Sequence, residues 1–225
     1  MIAIIGALDA EVNALRDIME HYEISNHSGI EFTIGTLAGK EIVLMKSGVG
    51  KGYAAMSCAI LLERFTCDAI INIGTAGGLK QEQQVLDVVI SSSVVQHDFD
   101  TSILDGLSGI GMYFDADERL VSLCQKELSG HDYGVWIGQV ASGDLFVAGE
   151  QRLNRLIQTF PNAHCAEMEA GAIAQVASHY QVPFVVIRSL SDVAWQKDSQ
   201  MDFPTYLKKA SVRSAQFTKA IVAKL

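Results

Sequence analysis

A chain of 225 residues is long enough for one domain with a sizeable core. Hydrophobic residues make up 49% and charged residues 19%, which excludes a disordered chain. The net charge of -9 argues against nucleic acid or an anionic membrane as the main partner, and leaves a small-molecule site open because a local field can differ from the whole.

In chain order, strands are predicted over 1–6, 31–37, 41–47, 69–74, 87–91, 135–142 and 183–189, and helices over 9–21, 50–65, 116–129, 150–159, 169–180 and 204–223. Several strands are continuously apolar, as expected of strands covered on both faces. The last helix repeats apolar and small residues at steps of three and four from Phe203 to Ile221, and Pro204 after Asp202 opens it. Strands alternating with helices predict an α/β fold around a mixed sheet. No linker or repeat divides residues 1–225, so one domain is expected. The Gly- and Asp-rich stretch 97–113 reads as the least regular loop, and 193–203 as a candidate lid.

The start, MIAIIGALDAEVNAL, lacks a basic region and is interrupted by Asp9 and Glu11, so it is a poor signal peptide. No apolar run reaches the roughly 18 residues of a membrane span. The cysteines at 58, 67, 124 and 165 have no C-x-x-C spacing and read as reduced thiols of a cytoplasmic protein.

Five stretches carry possible chemistry. Gly6-Ala7-Leu8-Asp9-Ala10-Glu11 follows the first strand and puts Glu11 on the first helical turn. Ser47-Gly48-Val49-Gly50-Lys51-Gly52 is a glycine-rich strand-to-helix turn, but Met45 and Gly52 stand where a phosphate-binding P-loop needs glycine and a hydroxyl. Gly74-Thr75-Ala76-Gly77-Gly78 is read as a turn at a strand's carboxyl end, where open α/β sheets bind ligands. Arg188-Ser189-Leu190-Ser191-Asp192 places an acid at another strand end. It is either a cap or, in partly apolar surroundings, a protonated general acid. CAEMEAGAIA puts Glu167 and Glu169 inside an apolar run. If 163–167 is a strand, the two carboxylates sit at a strand–helix junction. There they either serve the helix dipole or form a dry site for sugar hydroxyls.

Together, GALDAE, KSGVGK, INIGTAGG, SGDLF, EMEAGAIA and SLSD resemble, in order and nearly end to end, the methylthioadenosine/S-adenosylhomocysteine nucleosidases of the purine nucleoside phosphorylase and uridine phosphorylase superfamily. The resemblance implies a single nucleoside phosphorylase-like domain, its mixed sheet partly barrel-like and surrounded by helices, in a homodimer. It implies hydrolysis of an N-glycosidic bond with release of adenine, and no metal or organic cofactor. By position, Asp192 resembles the acid that protonates adenine N7, Glu11 the carboxylate that activates water, and Glu169 the residue that holds a ribose hydroxyl and stays ionised at a helix start. Met168 and Glu167 match residues near the sugar, and Phe146 and Val147 those that stack on the base and read its edge. Ser191 and Arg188 would support the acid and its network, Val49 and Phe203 would line the 5′-alkylthio pocket, and Ala7, Thr75, Ala76 and Gly77 would line the rest.

Superfamily members that use phosphate carry an arginine before the glycine turn and another in the first loop. Here Asn72 and Glu11 take those places, and a carboxylate repels phosphate but can activate water. Ile103 and Leu104, in a loop shorter than the family's, are expected near the partner subunit's site. His97 with Asp98 and Asp100 lacks a supporting metal-ligand cluster. A nucleoside phosphorylase, a futalosine hydrolase and a non-catalytic nucleoside binder remain alternatives.

Overall fold

The computed structural model describes residues 1–194 and 203–225, with side chains from 206 onward in the last helix. Its elements are β1 (Ile2–Gly6), α1 (Asp9–Arg16), β2 (His21–His27), β3 (Ile30–Leu37), β4 (Lys40–Lys46), α2 (Lys51–Arg64), β5 (Ala69–Gly78), β6 (Val88–Asp100), α3 (Ser102–Asp105), β7 (Ile110–Asp115), α4 (Glu118–Leu128), β8 (Val135–Ser142), α5 (Glu150–Thr159), β9 (Ala163–Glu167), α6 (Ala170–His179), β10 (Phe184–Val193) and α7 (Phe203–Val222). This is a single-domain α/β fold with a central mixed sheet flanked by helices.

The apolar strands alternate sides. In β1, Ala3 and Ile5 pack with Ala54, Cys58 and Leu61 of α2 and Ile173 and Ala177 of α6. Ile2 and Ile4 pack with Val12 and Leu15 of α1, Leu120 and Cys124 of α4, and Phe217 and Ile221 of α7. Period-two alternation between two helical layers is why these strands read as unbroken apolar runs. All four cysteines are free, and only Cys67 is not fully buried.

Strand pairing then opens a site. The edge of β5 next to β1 pairs in parallel through Ala69–Asn72. Its last residues, Gly77 and Gly78, pair instead with Ala166 and Cys165 of β9, antiparallel. Along its other edge β5 pairs with β10, which also pairs with β6. Parallel pairing of β6 with β8 and of β8 with β9 closes a circuit of five strands. The chain therefore parts between the ends of β1 and β9, where a switch in strand order makes a crevice.

Three expectations need correction. The first helix stops at Arg16, and His21 begins β2, which pairs along its length with β3. Almost all of β2 is exposed, so HYEISNH has no buried face to betray a strand. The stretch 97–113 is not a loop throughout: β6 runs to Asp100 and β7 returns antiparallel from Ile110, leaving a short helical tip at 101–109. The expected turn at Gly74–Gly78 is the second half of β5, and Ser189–Asp192 lies within β10, with an irregularity between Leu190 and Asp192. The candidate lid lies mostly outside the described residues, as does the side chain of Phe203.

Candidate active site

At the end of β1, the backbone turns through Ala7 and Leu8 into α1. Leu8 has no side-chain acceptor to cap that helix, so Glu11 folds back and its Oε2 accepts from the amides of Ala7 and Leu8 at 2.8 and 2.9 Å. Glu11 is only 2% exposed. It borders a narrow cleft with Gly74 and Thr75 of β5, Ser189 of β10, and Ala210, Ser211 and Ser214 of α7. Burial pushes its carboxyl above the usual range, against the opposing pull of the Leu8 amide, the Arg188 charge and the Ala7 and Thr75 amides.

The second carboxylate pair divides its labour. Glu167 ends β9, and its carboxylate accepts from the amides of Glu169 and Ala170 at 2.9–3.1 Å, so it caps α6. It also accepts from Arg188 Nη2 at 2.6 Å. Glu169 occupies the N-cap position, but its side chain reaches away and accepts from the Gly50 amide at 2.9 Å. Gly50 has φ +91°, so the glycine-rich turn after β4 is bent to aim this N–H at Glu169.

This corrects the expectation that the helix start keeps Glu169 ionised. The amides of the first turn are used by Glu167. Burial, and then the negative charge of Glu167, raise the Glu169 carboxyl to about 7, with Arg188 and the Gly50 amide opposing.

Arg188 ties the cluster together. It is 1% exposed, and its Nη2 also donates to Asn72 Oδ1 at 2.7 Å. Asn72 Nδ2 donates to the Ile5 carbonyl at 2.9 Å, linking β5 to β1. Gly74 leaves the space the guanidinium occupies, since a Cβ there would lie 3.1 Å from Nη1.

Across β5, Ser191 Oγ donates to Asp192 Oδ1 at 2.6 Å and lies 3.2 Å from the Ala76 carbonyl. Asp192 is opposite Gly77 in the β5–β10 register. It is exposed, so the apolar surroundings expected for it are not supplied by the described residues. Met168 is half-buried between the two glutamates. Phe146, at 72% exposure, and half-buried Val147 lie on the segment after β8, and Val49 is exposed beside Gly50.

Sequence reasoning missed the contacts of three groups that hold this arrangement. Ser47 donates its amide to the Gly6 carbonyl at 2.8 Å and binds the first loop to the glycine turn. Ser211 and Ser214 on α7 face Glu11; their spacing of three was the visible signal. Lys51, Asp98 and Asp144 lie in stretches the sequence marked, but nothing local shows that they join three separate segments.

A fold whose strand order switches beside three buried carboxylates and one buried arginine is paralleled in known proteins. The family model of the phosphorylase superfamily matches residues 1–223, and the chain belongs to that superfamily. A relative from Bacillus thuringiensis (strain Al Hakam), a 5′-methylthioadenosine/S-adenosylhomocysteine nucleosidase, is 42% identical over 229 residues, covering 100% of this chain and 99% of its own. The nucleosidase of that name from Neisseria meningitidis, solved with methylthio-immucillin-A, superposes with a TM-score of 0.92 at 34% identity, covering 100% of this chain and 99% of the other. That from Colwellia psychrerythraea 34H, solved with adenine, has a TM-score of 0.92 at 35% identity, covering 100% and 95%. Within the superfamily, the chain is thus a member of the methylthioadenosine/S-adenosylhomocysteine nucleosidase family of N-glycosyl hydrolases.

Proposed function

We propose that this protein hydrolyses the N-glycosidic bond of 5′-methylthioadenosine and S-adenosylhomocysteine, and of 5′-deoxyadenosine, releasing adenine. The observation that carries water rather than phosphate as the nucleophile is the state of Arg188. Its guanidinium is buried and engaged by Glu167 and Asn72, and the first loop brings the carboxylate of Glu11 instead of a cation. A phosphate dianion would meet buried negative charge here, whereas a water would meet a base.

In this reading, Asp192 protonates adenine N7, positioned by the Ser191 hydroxyl, because adenine leaves poorly as an anion. Leaving-group departure makes an oxocarbenium-like sugar, as in glycoside hydrolysis by paired carboxylates. Glu11 takes a proton from the attacking water. Its oriented Oε2 leaves the other oxygen for that work, and its raised pKa makes it a stronger base once ionised. Glu169 accepts from a ribose hydroxyl over Met168. Phe146 stacks on the base and Val147 reads its edge. Ala7, Thr75, Ala76 and Gly77 line the floor, and Val49 the 5′ group.

The protein acts as a cytoplasmic homodimer that clears by-products of S-adenosylmethionine use and feeds methionine salvage. The dimer is supported by the exposed apolar side chains Ile103, Leu104 and Leu107 at the β6–β7 tip and Val49, Tyr53 and Met56 at and beside α2.

Adenine release from methylthioadenosine, in phosphate-free buffer and then with added phosphate, tests the reading. Release without phosphate, with free methylthioribose as the co-product, is expected. Release only with phosphate would overturn it. If neither buffer gives release, S-adenosylhomocysteine and aminodeoxyfutalosine separate a different 5′ preference from a mere binder.

A further inference from the structure

The segment 143–149 carries Phe146 and Val147 but has little regular structure of its own. What fixes its position comes from two other parts of the chain. Asp144 Oδ1 accepts from the Lys51 amide at 2.7 Å, at the start of α2. The Asp144 amide donates to Asp98 Oδ2 at 2.8 Å, near the end of β6. Asp98 Oδ1 in turn accepts from Lys51 Nζ at 2.5 Å. Three residues from three segments thus close a small circuit of hydrogen bonds, two of them on one carboxylate.

The circuit is partly protected from solvent, since the Lys51 and Asp98 side chains are each 18% exposed. Lys51 Nζ also donates to Gln96 Oε1 at 3.1 Å, and Gln96 Nε2 donates to the Gly171 carbonyl and to Gln175 Oε1 on α6. The base of the segment is equally constrained. The Gly143 amide donates to the Glu167 carbonyl at 3.0 Å. A Cβ on Gly143 would lie 2.4 Å from His97 Nε2, so a larger residue would have to displace the His97 ring. Burial alone would raise the Asp98 carboxyl, but the Lys51 hydrogen bond, the Asp144 amide and the Lys51 charge outweigh it and hold it below the usual range.

Lys51 stands next to Gly50, whose amide binds Glu169. Displacing the Lys51 backbone therefore acts on the sugar side of the site as well as on 143–149. We propose that Lys51, Asp98 and Asp144 form a latch of positioning residues that holds the base-binding segment 143–149 in register with the ribose-binding turn. None of the three touches the reacting atoms. Their effect is to keep Phe146 and Val147 at a set distance from Glu169, so that one nucleoside spans both contacts. Ordering the segment in advance lowers the cost of binding adenine and leaves the acid and base steps largely alone.

The functional side of this latch rests on the nucleosidase reading, and its structural side does not. Hydrogen exchange of the 144–148 amides in Lys51→Met, Lys51→Arg and Asp98→Asn reads the latch without substrate. Steady-state kinetics and adenine calorimetry read its use. In Lys51→Met, exchange of these amides is expected to speed up about tenfold, and KM for methylthioadenosine and Kd for adenine to rise about tenfold, the scale of one charged hydrogen bond. The accompanying change in kcat is expected to stay within about threefold, and Lys51→Arg to restore most of the loss. The Lys51→Met/Asp98→Asn double variant is expected to be no worse than Lys51→Met alone, because both break one circuit. Unchanged exchange at 144–148, or a fall in kcat with KM and adenine affinity intact, would overturn the latch. A lower Tm with all binding readouts unchanged would reduce the trio to scaffolding and also overturn it. Should Lys51→Met fail to fold, Asp144→Ala at an exposed position, which removes the acceptor of the Lys51 amide, carries the same readouts. A wild type that never releases adenine would refute the nucleosidase reading and leave the exchange result standing on its own.

Discussion

Replacing Glu169 by glutamine removes one negative charge and keeps an oxygen for the Gly50 amide to donate to. Glu169 is 6% exposed, beside Glu167, and its carboxyl is raised from 4.5 to about 7. That gap corresponds to about 3 kcal/mol between the neutral and ionised forms of the folded protein. The sign follows from the direction. Below pH 4.5 the carboxyl is neutral in the folded and unfolded chains, and its contribution to stability is fully present. As pH rises towards about 7, the unfolded chain gives up its proton first, and that contribution is lost. Glutamine has no proton to lose. The variant is therefore expected to gain on wild type as pH rises, by about 3 kcal/mol at pH 8, or roughly 6–12 °C in Tm for a chain of this size. Most of that advantage should vanish at pH 5. Under the proposed function, the same variant loses turnover, because an amide is a poorer acceptor for a ribose hydroxyl than a carboxylate. Thermal unfolding at pH 5 and pH 8, with adenine release at pH 8, measures both effects. An equal gain at both pH values, or a loss at pH 8, would refute the electrostatic reasoning.

Asp192→Asn should fold normally and lose about 10²- to 10⁴-fold in turnover, the usual contribution of a general acid; near-normal adenine release would remove Asp192 from that role. Arg188→Met should destabilise by about 3–5 kcal/mol in urea unfolding, because it strands the buried Glu167 carboxylate, and adding Glu167→Gln should recover much of the loss. A cost under about 1 kcal/mol would show that the pair is not the strut it is taken to be. Burial pushes the Cys58 and Cys124 thiols up to about 12, Cys67 to about 11 and Cys165 higher still. Cys58, Cys124 and Cys165 should react with a disulfide reagent such as Ellman's only on unfolding, while half-buried Cys67 labels first; fast labelling of more than one thiol in the native protein would contradict their burial.

The layered α/β architecture was legible in the chain because Ile2–Ile5 of β1, Ile42–Met45 of β4, Ala69–Ile71 of β5 and Phe184–Ile187 of β10 are buried on both faces and so are apolar at every position. Glu167 and Glu169 were legible for the opposite reason, since carboxylates inside an apolar run demand partners, whereas Glu11 stood out only through the resemblance. The exposed β2 and the polar end of β6 left no such trace, because solvent accepts any polar residue on a strand. Tertiary structure alone decided how the carboxylates share their partners. The amides that open α6 go to Glu167 because Arg188, 21 residues further along on β10, holds that carboxylate in place. Glu169 is then turned towards the Gly50 amide, 119 residues away in the chain. Residue types and local spacing carry the hydrophobic pattern and the supply of charge. Which donor meets which acceptor depends on strand order, since hydrogen bonds act only over a few ångströms and the chain must close before they can form.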